Sequence, residues 1–355
     1  MPTPRRALML GLALALAAPA PSAVAEPPKI SKPRPAPDVS PQVQPLPPAQ
    51  FDNSLAIGGQ DVKARKVSTR LSVDVEVNGH GPYRFVVDSG ADTSAVGLRI
   101  AHDLQLPLGT PAILNATTSR DLVDRVKINT LTLGPSIIKD LEVPALKEDD
   151  IGDQGLIGID ALVQQRLMMD FEKKLIKVED ATTPIKSVPG EIVIVAHRRR
   201  GQLILTAVRA AGLPLDAVID TGSEVTIGNS ALREKLLHRY NNFYTVEATG
   251  VTGVTIKLQM ATIPELQLGP VVLADVPIAF ADVPPFELFG LSKEPALLLG
   301  TDLLATFRRV SLDFRARKVR FQLRRCGPEG IIISTSPSGL ATRLSSSGGP
   351  EVCAS

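Results

Sequence analysis

The sequence predicts an all-β fold with few short helices, built as two related units with a cleft between them. A short motif, D-[ST]-G, occurs twice, and the segments around each copy recur in the same order. Apolar residues in both copies alternate with polar ones or form short β-branched runs, as they do in strands. Hydrophobic residues make up 44% of the 355-residue chain, which is enough for packed cores.

The N-terminus has the pattern of a targeting segment. "MPTPRR" supplies positive charge, a short apolar stretch follows, and "SAVA" places Ala23 and Ala25 before Glu26. We therefore expect residues 1–25 to be a secretory signal peptide and the protein to be exported, either periplasmic or secreted. The alternative is an uncleaved membrane anchor. No other stretch is apolar enough for a transmembrane helix, so no stable span is expected after cleavage.

Segments next to both ends are predicted to lie outside the core. Residues 26–50 are rich in Pro and predict an extended, semi-rigid tether or a disordered arm. Residues 326–355 are rich in Ser, Gly and Pro and predict a flexible tail, within which "GIIIS" could form a strand. Cys326 and Cys353 form either a bridge or two unrelated thiols, and the sequence leaves both open.

Between these ends the chain repeats itself. The first unit is expected at 51–180 and the second at 191–325, with residues 181–190 as the linker. Asp88 and Asp220 lie 132 positions apart, whereas Asp170 and Asp313 lie 143 apart. The additional residues of the second unit must therefore fall between Asp220 and Asp313.

The elements of the two copies correspond in order. A strand with alternating polarity comes first, followed by a short buried strand, a helix, a helical turn and a hairpin with a charged turn. Asn229 is a plausible N-cap of the second copy's helix. The segments are "RLSVDVEVNG", "RFVVD", "LRIAHDLQL", "GIDALVQQ" and "DFEKKLIKV" in the first copy, and "GQLILTAVRAAG", "LDAVID", "NSALREKLL", "GTDLLATF" and "LDFRARKVRF" in the second.

Composition argues against several partners. The formal net charge is only +2, from 39 basic and 37 acidic residues, and Trp is absent, so nucleic acid is not expected to bind. The four histidines show no catalytic or metal-like spacing, and neither G-x-S-x-G nor H-E-x-x-H occurs, so no metal site is expected. The basic run "HRRRG", His197 to Gly201, is interpreted as a solvated turn rather than a binding patch.

The candidate chemistry lies in the two triplets Asp88-Ser89-Gly90 and Asp220-Thr221-Gly222. A triplet of these residue types could simply form a turn. Each triplet, however, ends an apolar strand, precedes another apolar stretch and occupies the same place in a repeated unit. These features favour a paired functional site.

Two apposed carboxylates explain the residue types. Like charge raises one pKa, so the pair holds a single proton and titrates as a unit. One carboxylate can then take a proton from water while the other donates one to a carbonyl oxygen. Gly90 and Gly222 allow close backbone approach, and the hydroxyls of Ser89 and Thr221 can bond across a pseudo-two-fold axis.

On these motifs the chain resembles retropepsin-like aspartic proteases, in the bacterial single-chain form with two fused units. "VVDSGADTSAV" and "VIDTGSEVTIG" match the family's active-site loop, and "LIG" and "LLG", ending at Gly158 and Gly300, match its apolar-apolar-Gly signature. The resemblance implies a ψ-shaped fold with Asp88 and Asp220 as the catalytic pair. The loop residues that it implies as support are Ser89, Gly90, Ala91, Thr221, Gly222 and Ser223.

The resemblance also implies a flap, a glycine-bearing hairpin that closes over substrate. "YTVEATGVTGVTIKL" is the candidate, with Gly250 and Gly253 near its tip, although an ordinary surface hairpin is the alternative. The corresponding segment of the first unit lacks glycine, so a symmetric pair of flaps is not expected. Asp160 and Asp302 are interpreted as helix N-caps, and Asp170 and Asp313 as structural residues that begin hairpins.

The leading hypothesis is an aspartic endopeptidase whose water nucleophile is activated between Asp88 and Asp220. Its substrate would be an extended polypeptide, it would need no metal or organic cofactor, and a monomer would suffice. One alternative is a catalytically silent peptide-binding or regulatory module of the same fold. Another is homodimerisation that pairs equivalent halves of two chains.

Overall fold

The computed structural model describes residues 29–37, 60–67, 70–134, 136–162, 165–180, 191–237, 243–324 and 332–334. The predicted signal peptide, the predicted linker and both cysteines lie outside these residues.

The first unit contains twelve described strands and three short helices. They are β1 (Arg34–Pro35), β2 (Gln60–Val67), β3 (Arg70–Val77), β4 (His80–Val87), β5 (Ala95–Gly97), α1 (Leu98–Asp103), β6 (Ala112–Asn115), β7 (Arg120–Val123), β8 (Arg125–Leu133), β9 (Ser136–Leu146), α2 (Glu148–Ile151), β10 (Gly155–Ile157), α3 (Ile159–Leu162), β11 (Gln165–Asp170) and β12 (Leu175–Asp180).

The second unit repeats this order. Its elements are β13 (Glu191–Arg199), β14 (Gln202–Ala210), β15 (Leu213–Ile219), β16 (Ile227–Gly228), α4 (Ser230–Leu237), β17 (Tyr244–Thr249), β18 (Thr255–Leu268), β19 (Val271–Phe280), α5 (Pro284–Leu288), β20 (Ala296–Leu299), α6 (Thr301–Leu304), β21 (Arg309–Asp313), β22 (Lys318–Gln322) and β23 (Ile332–Ser334).

The molecule is therefore mostly β with few short helices, as predicted, and its elements form two units. The helical segments predicted from both copies form α1, α3, α4 and α6, and the two predicted charged hairpins form β11–β12 and β21–β22. Asn229 is the N-cap of α4, because its Oδ1 accepts the N–H of Leu232 at 2.9 Å. Of the helices in the described part of the chain, none has the length and hydropathy of a membrane span.

A buried parallel strand pair lies at the centre of each unit and leads to the candidate loop. In the first unit β10 runs parallel to β4, and in the second β20 runs parallel to β15. The residues of these strands are largely apolar because both faces of the pair are covered. Each D-[ST]-G triplet begins directly at the carboxyl end of β4 or β15.

A six-stranded antiparallel sheet joins the units. Three strands come from each unit, in the order β2, β12, β11, β21, β22 and β13. The central strands β11 and β21 pair with each other, with Met168 opposite Ser311. The arrangement is approximately two-fold symmetric about this central pair, so the repeated sequences fold into a pseudo-dimer within one chain.

Short strands near both ends of the chain pair with the units. In the Pro-rich arm, β1 adds to β7 and makes a three-stranded sheet with β6. Residues 34–35 thus form a strand, as the extended alternative predicted for the arm would have it and the disordered one would not. In the tail, Ile332–Ser334 pair with β19, which confirms the strand predicted in "GIIIS".

Candidate active site

The two D-[ST]-G loops meet at the base of the cleft between the units. The backbone N–H of Asp88 donates to Ile157 O at 2.9 Å, and that of Asp220 donates to Leu299 O at 3.1 Å. Each aspartate is thereby fixed to the strand that carries its own unit's apolar-Gly signature. The carboxyl groups of Asp88 and Asp220 lie close enough to interact electrostatically, and each approaches the glycine of the opposite loop. The structure therefore brings together the two carboxyl groups that the sequence singles out.

Each carboxylate accepts two backbone N–H groups from its own loop. Asp88 Oδ1 accepts from Gly90 at 2.7 Å and Ala91 at 3.0 Å. On the other side, Asp220 Oδ1 accepts from the loop residues Gly222 and Ser223, both at 3.0 Å. These donors orient one oxygen of each carboxyl group and leave the other free for its partner or for substrate.

The glycines of the triplets are required by close approach across the cleft. A Cβ on Gly90 would collide with the carboxyl group of Asp220, and a Cβ on Gly222 would collide with that of Asp88. Each glycine thus makes room for the aspartate of the opposite unit. The two glycines therefore allow close backbone approach, as predicted. The approach is between the two units, and not only within one loop.

The hydroxyl residues interlock across the axis, as the resemblance implies. Ser89 N–H donates to Thr221 Oγ1 at 2.8 Å, and Thr221 N–H donates to Ser89 Oγ at 3.2 Å. Each hydroxyl also donates to a carbonyl of the opposite unit, Ser89 Oγ to Ile219 O at 3.0 Å and Thr221 Oγ1 to Val87 O at 2.9 Å. Four hydrogen bonds therefore hold the two loops together beneath the carboxyl pair.

Burial and mutual proximity favour the protonated form of the pair. Burial, followed by the negative charge of Asp220, raises the pKa of Asp88 to about 8, against the lowering effect of its two N–H donors. Burial likewise raises the pKa of Asp220. Because the two groups interact directly, they titrate together, and the pair retains a proton well above the pH range in which carboxyl groups ordinarily ionise.

Asp160 and Asp302 have a different role from the predicted one. They follow the first residue of α3 and α6, so they are not N-caps, and this part of the prediction is wrong. Asp160 Oδ1 accepts the hydroxyl of Ser94 at 2.7 Å, and Asp302 Oδ1 accepts that of Thr226 at 2.7 Å. The local sequence signal for a cap was overridden by partners more than sixty residues away.

These bonds connect the signature glycines to the catalytic loops. The same hydroxyl oxygens, Ser94 Oγ and Thr226 Oγ1, accept the N–H groups of Gly158 and Gly300, each at 3.0 Å. A Cβ on Gly158 would overlap the backbone of Thr93 and Ser94, and a Cβ on Gly300 would overlap the backbone of Val225. The apolar-Gly signature therefore packs beneath each loop, in agreement with the resemblance.

Two further cross-unit contacts were missed by the sequence analysis. Arg70 Nε lies 3.1 Å from Glu224 Oε1, and Gln202 Nε2 donates to Asp92 Oδ1 at 3.1 Å. Arg70 and Gln202 are 132 positions apart, as are Asp92 and Glu224, so the repeat offset of the aspartate pair could have identified them. The two contacts occupy equivalent places, but only one is an ion pair.

A cleft with a cavity volume of about 130 Å³ lies above the carboxyl pair. Its walls are mostly apolar and come from both units. They include Ala95, Leu114, Pro144, Leu146 and Leu156 from the first unit and Val218, Pro285, Leu288, Phe289 and Leu298 from the second.

Two hairpins cover the cleft. We call β6, β7 and their turn (residues 112–123) the first flap, and β17 with the start of β18 (residues 244–260) the second flap. The second flap is the predicted hairpin, with Gly250 and Gly253 in its turn. The first flap corrects the expectation that a symmetric pair would be absent, because its turn needs no glycine: Ala116 N–H donates to Ser119 O at 2.9 Å.

The flaps touch at their tips. The hydroxyls of Ser119 and Thr252 are 2.6 Å apart, and a Cβ on Gly250 would overlap the side chain of Thr118. Gly253 has a φ of +80°, which favours glycine in this turn. The cleft is therefore closed in this conformation.

Some predicted features lie away from the cleft. Asp170 and Asp313 do not begin the hairpins but end their first strands, β11 and β21, and both form ion pairs between the units. Of the basic run, His197 to Arg199 end strand β13 with His197 exposed, and only Arg200 and Gly201 lie in the predicted turn, where Arg200 Nε is 4.0 Å from Asp92 Oδ2 at the cleft wall. Among the described residues, no group of three or more His, Cys, Asp or Glu side chains is placed to hold a metal ion.

Two protein-family models match the chain in tandem. A model of the gag-polyprotein aspartyl protease matches residues 73–164, and a model described as aspartyl protease matches residues 206–303. Each match contains one D-[ST]-G loop and one signature glycine. A comparison with curated proteins gives no match.

Proposed function

The chain belongs to the retropepsin-like aspartyl proteases, with two such units in tandem, and from this premise we propose that it is an aspartic endopeptidase. Its nucleophile would be a water molecule activated between Asp88 and Asp220. The observation that carries the proposal is the apposed carboxyl pair at the base of the cleft, in which each carboxylate accepts backbone N–H groups of its own loop.

The proposed reaction uses the single proton of the pair. The ionised carboxylate takes a proton from water as the water oxygen attacks the peptide carbonyl carbon, and the protonated carboxyl group donates its proton to the carbonyl oxygen. The tetrahedral intermediate then collapses: the C–N bond breaks, the amide nitrogen gains a proton from the protonated carboxyl group, the other carboxylate takes the proton of one hydroxyl of the intermediate, and an acid and an amine leave. The pair returns to its singly protonated state.

The substrate class follows from the shape of the cleft. Flaps made of β-strands over a floor of extended loops fit an extended polypeptide that bonds through its main chain. The flap tips touch over this cleft, where the hydroxyls of Ser119 and Thr252 are 2.6 Å apart. Binding would therefore require the flap tips to separate and then close over the peptide.

We further propose that the active form is a monomer and that the protein is exported. Support for the first point is that one chain supplies both aspartates and all six strands of the bridging sheet. Support for the second is the signal-like pattern of residues 1–25. Light scattering of the purified protein tests the monomer, and N-terminal sequencing of the product from the periplasm or medium tests the export.

The test of the activity is cleavage of a diverse peptide library between acid and neutral pH. We expect Asp88→Asn and Asp220→Asn each to reduce kcat/KM by at least about a hundredfold, since each removes one acid–base partner. Asp74→Asn is the matched control, because Asp74 is an exposed carboxylate on β3. A statine-type transition-state mimic should inhibit the wild type.

The competing hypothesis is a silent peptide-binding module with the same fold. It predicts that the wild type binds library peptides yet cleaves none of them at any pH tested, and that both Asn variants bind as the wild type does. Such an outcome would reject the endopeptidase proposal.

A further inference from the structure

The Pro-rich arm contains a strand with a period-two pattern of prolines. Pro33, Pro35 and Pro37 alternate with Arg34 and Ala36 in the arm. Along an extended strand successive N–H groups point to opposite sides, and proline has none. The arm therefore offers hydrogen-bond donors on one side only, which is the property of a strand built to close a sheet edge.

The donor side faces the first flap. Arg34 is opposite Leu122 of β7, and Ala36 N–H donates to Arg120 O at 3.1 Å. Pro35 is opposite Asp121, so the residue without a donor falls between the bonded positions, as antiparallel pairing requires. The sequence of the arm and its observed register thus agree.

Further contacts fix the arm on both sides of this pairing. Ser31 N–H donates to Asp124 Oδ2 at 2.8 Å, and the partly buried Ile30 packs against the main hydrophobic core. Arg120 Nη1 donates to Pro37 O at 3.4 Å. The first flap is consequently bound along one edge by a segment that is itself anchored in the body of the protein.

The second flap has a different environment. Residues 255–258 of β18 pair with β17, and among the described residues no other strand pairs with them. β18 joins β19 only from Gln259 onward. One flap is therefore a three-stranded sheet and the other projects as a two-stranded hairpin.

From this difference we propose that residues 29–37 act as a strap that restrains the first flap, so that the cleft opens by movement of the second flap. The proposal rests on the proposed function only for its consequence, which is peptide entry from the side of the second flap. The strap itself is a property of the fold and can be tested without any turnover.

The test is hydrogen–deuterium exchange of the full-length protein. In the wild type we expect amides of 120–123 to exchange at least about tenfold more slowly than those of 245–249, because local opening sets the exchange rate. Ser31→Pro with Ala36→Pro removes the N–H groups that donate to Asp124 Oδ2 and to Arg120 O. The double variant should bring the exchange rate of amides 120–123 close to that of the second flap. Lys32→Ala, at an exposed arm position, is the control and should behave as the wild type.

Two outcomes would overturn the strap. One is equal exchange of the two flaps in the wild type, and the other is unchanged exchange of 120–123 in the double-proline variant. Ile30→Asp provides a second route to the same release if the double variant is recovered poorly, and a thermal melt of each variant separates local release from global unfolding. If the wild type cleaves no peptide but its two flaps still differ in exchange rate, and the double-proline variant removes that difference, the proposed function is rejected and the strap is not.

Discussion

Arg166 of the first unit forms a buried ion pair with Asp313 of the second, with 3.1 Å between Nε and Oδ2. The pair recurs in reverse, since Arg309 Nε contacts Asp170 Oδ2 at 2.6 Å. Both pairs lie in the central strands of the bridging sheet, on either side of the point where Met168 faces Ser311. The units are therefore held by two equivalent ion pairs in addition to their main-chain bonds.

Removal of Asp313 should be costly, because the buried guanidinium of Arg166 then loses a carboxylate that it contacts at 3.1 Å. We expect Asp313→Leu to lower the free energy of unfolding by roughly 3 to 5 kcal/mol, measured by urea denaturation. Asp149→Leu, in the exposed pair with Lys147, should change it by no more than about 1 kcal/mol. The double variant Arg166→Met with Asp313→Leu should be more stable than Asp313→Leu alone. Equal costs for Asp313→Leu and Asp149→Leu would contradict this account.

The interlock of Ser89 and Thr221 should be sensitive to loss of one hydroxyl. Thr221→Val keeps the shape but leaves the N–H of Ser89 without its acceptor, so we expect a loss of about 1 to 3 kcal/mol in unfolding free energy and a reduced kcat/KM. Thr221→Ser retains the oxygen and is the matched control. If the Val and Ser variants unfold and turn over alike, the hydroxyl bonds do not hold the loops.

The raised pKa of Asp88 predicts the alkaline limit of activity. The pair needs one proton, and the pKa of Asp88 is raised to about 8. We therefore expect kcat/KM to fall as the pH rises through about 8, and the pH–rate profile of the wild type is the measurement. A profile already falling near the ordinary carboxyl range, close to pH 4, would show that burial does not hold the proton.

The same pKa predicts a stability trend. A carboxyl group whose pKa is higher in the folded state, here about 8 against 3.8, binds its proton more tightly when folded. Its contribution to stability is complete below about pH 4 and is lost as the pH rises to about 8. The melting temperature of the wild type should therefore fall more over this interval than that of Asp88→Asn. Parallel curves for the two proteins would disprove the assignment.

The contact of the flap tips predicts a specific defect and its rescue. In Gly250→Ala the new methyl group would overlap the Thr118 side chain, although the backbone at Gly250 does not have a positive φ. The flaps should then fail to close fully, and we expect kcat/KM to fall at least about tenfold. Adding Thr118→Gly should restore most of the activity. Failure of the rescue would place the defect elsewhere.

The apposition of the two carboxyl groups was predictable because its signal is local and repeated. Asp88 and Asp220 each follow a continuous apolar strand and precede glycine, so the strand, the turn and the duplication could all be read along the chain. The division into two β units followed from the same repetition. The interlocking hydroxyls of Ser89 and Thr221 came from the resemblance and agree with the structure.

Other features were not predictable because their causes are distant in sequence. The first flap was missed since glycine was taken as a requirement, whereas the turn from Ala116 to Ser119 is built without a positive φ. Asp160 was assigned to a helix start, but its partners Thr93 and Ser94 are reached only through the folded ψ-shaped unit. No local pattern specifies such contacts.

The presence of both halves in one chain has a consequence for the symmetry of the cleft. When a symmetric pair is made from separate identical chains, every substitution appears on both sides of the axis at once. Here the halves are encoded independently, so Arg70 can face Glu224 on one side while Gln202 faces Asp92 on the other. Because both halves belong to one chain, equivalent positions on the two sides of the cleft can carry different residues, and the surroundings of the carboxyl pair are chemically asymmetric.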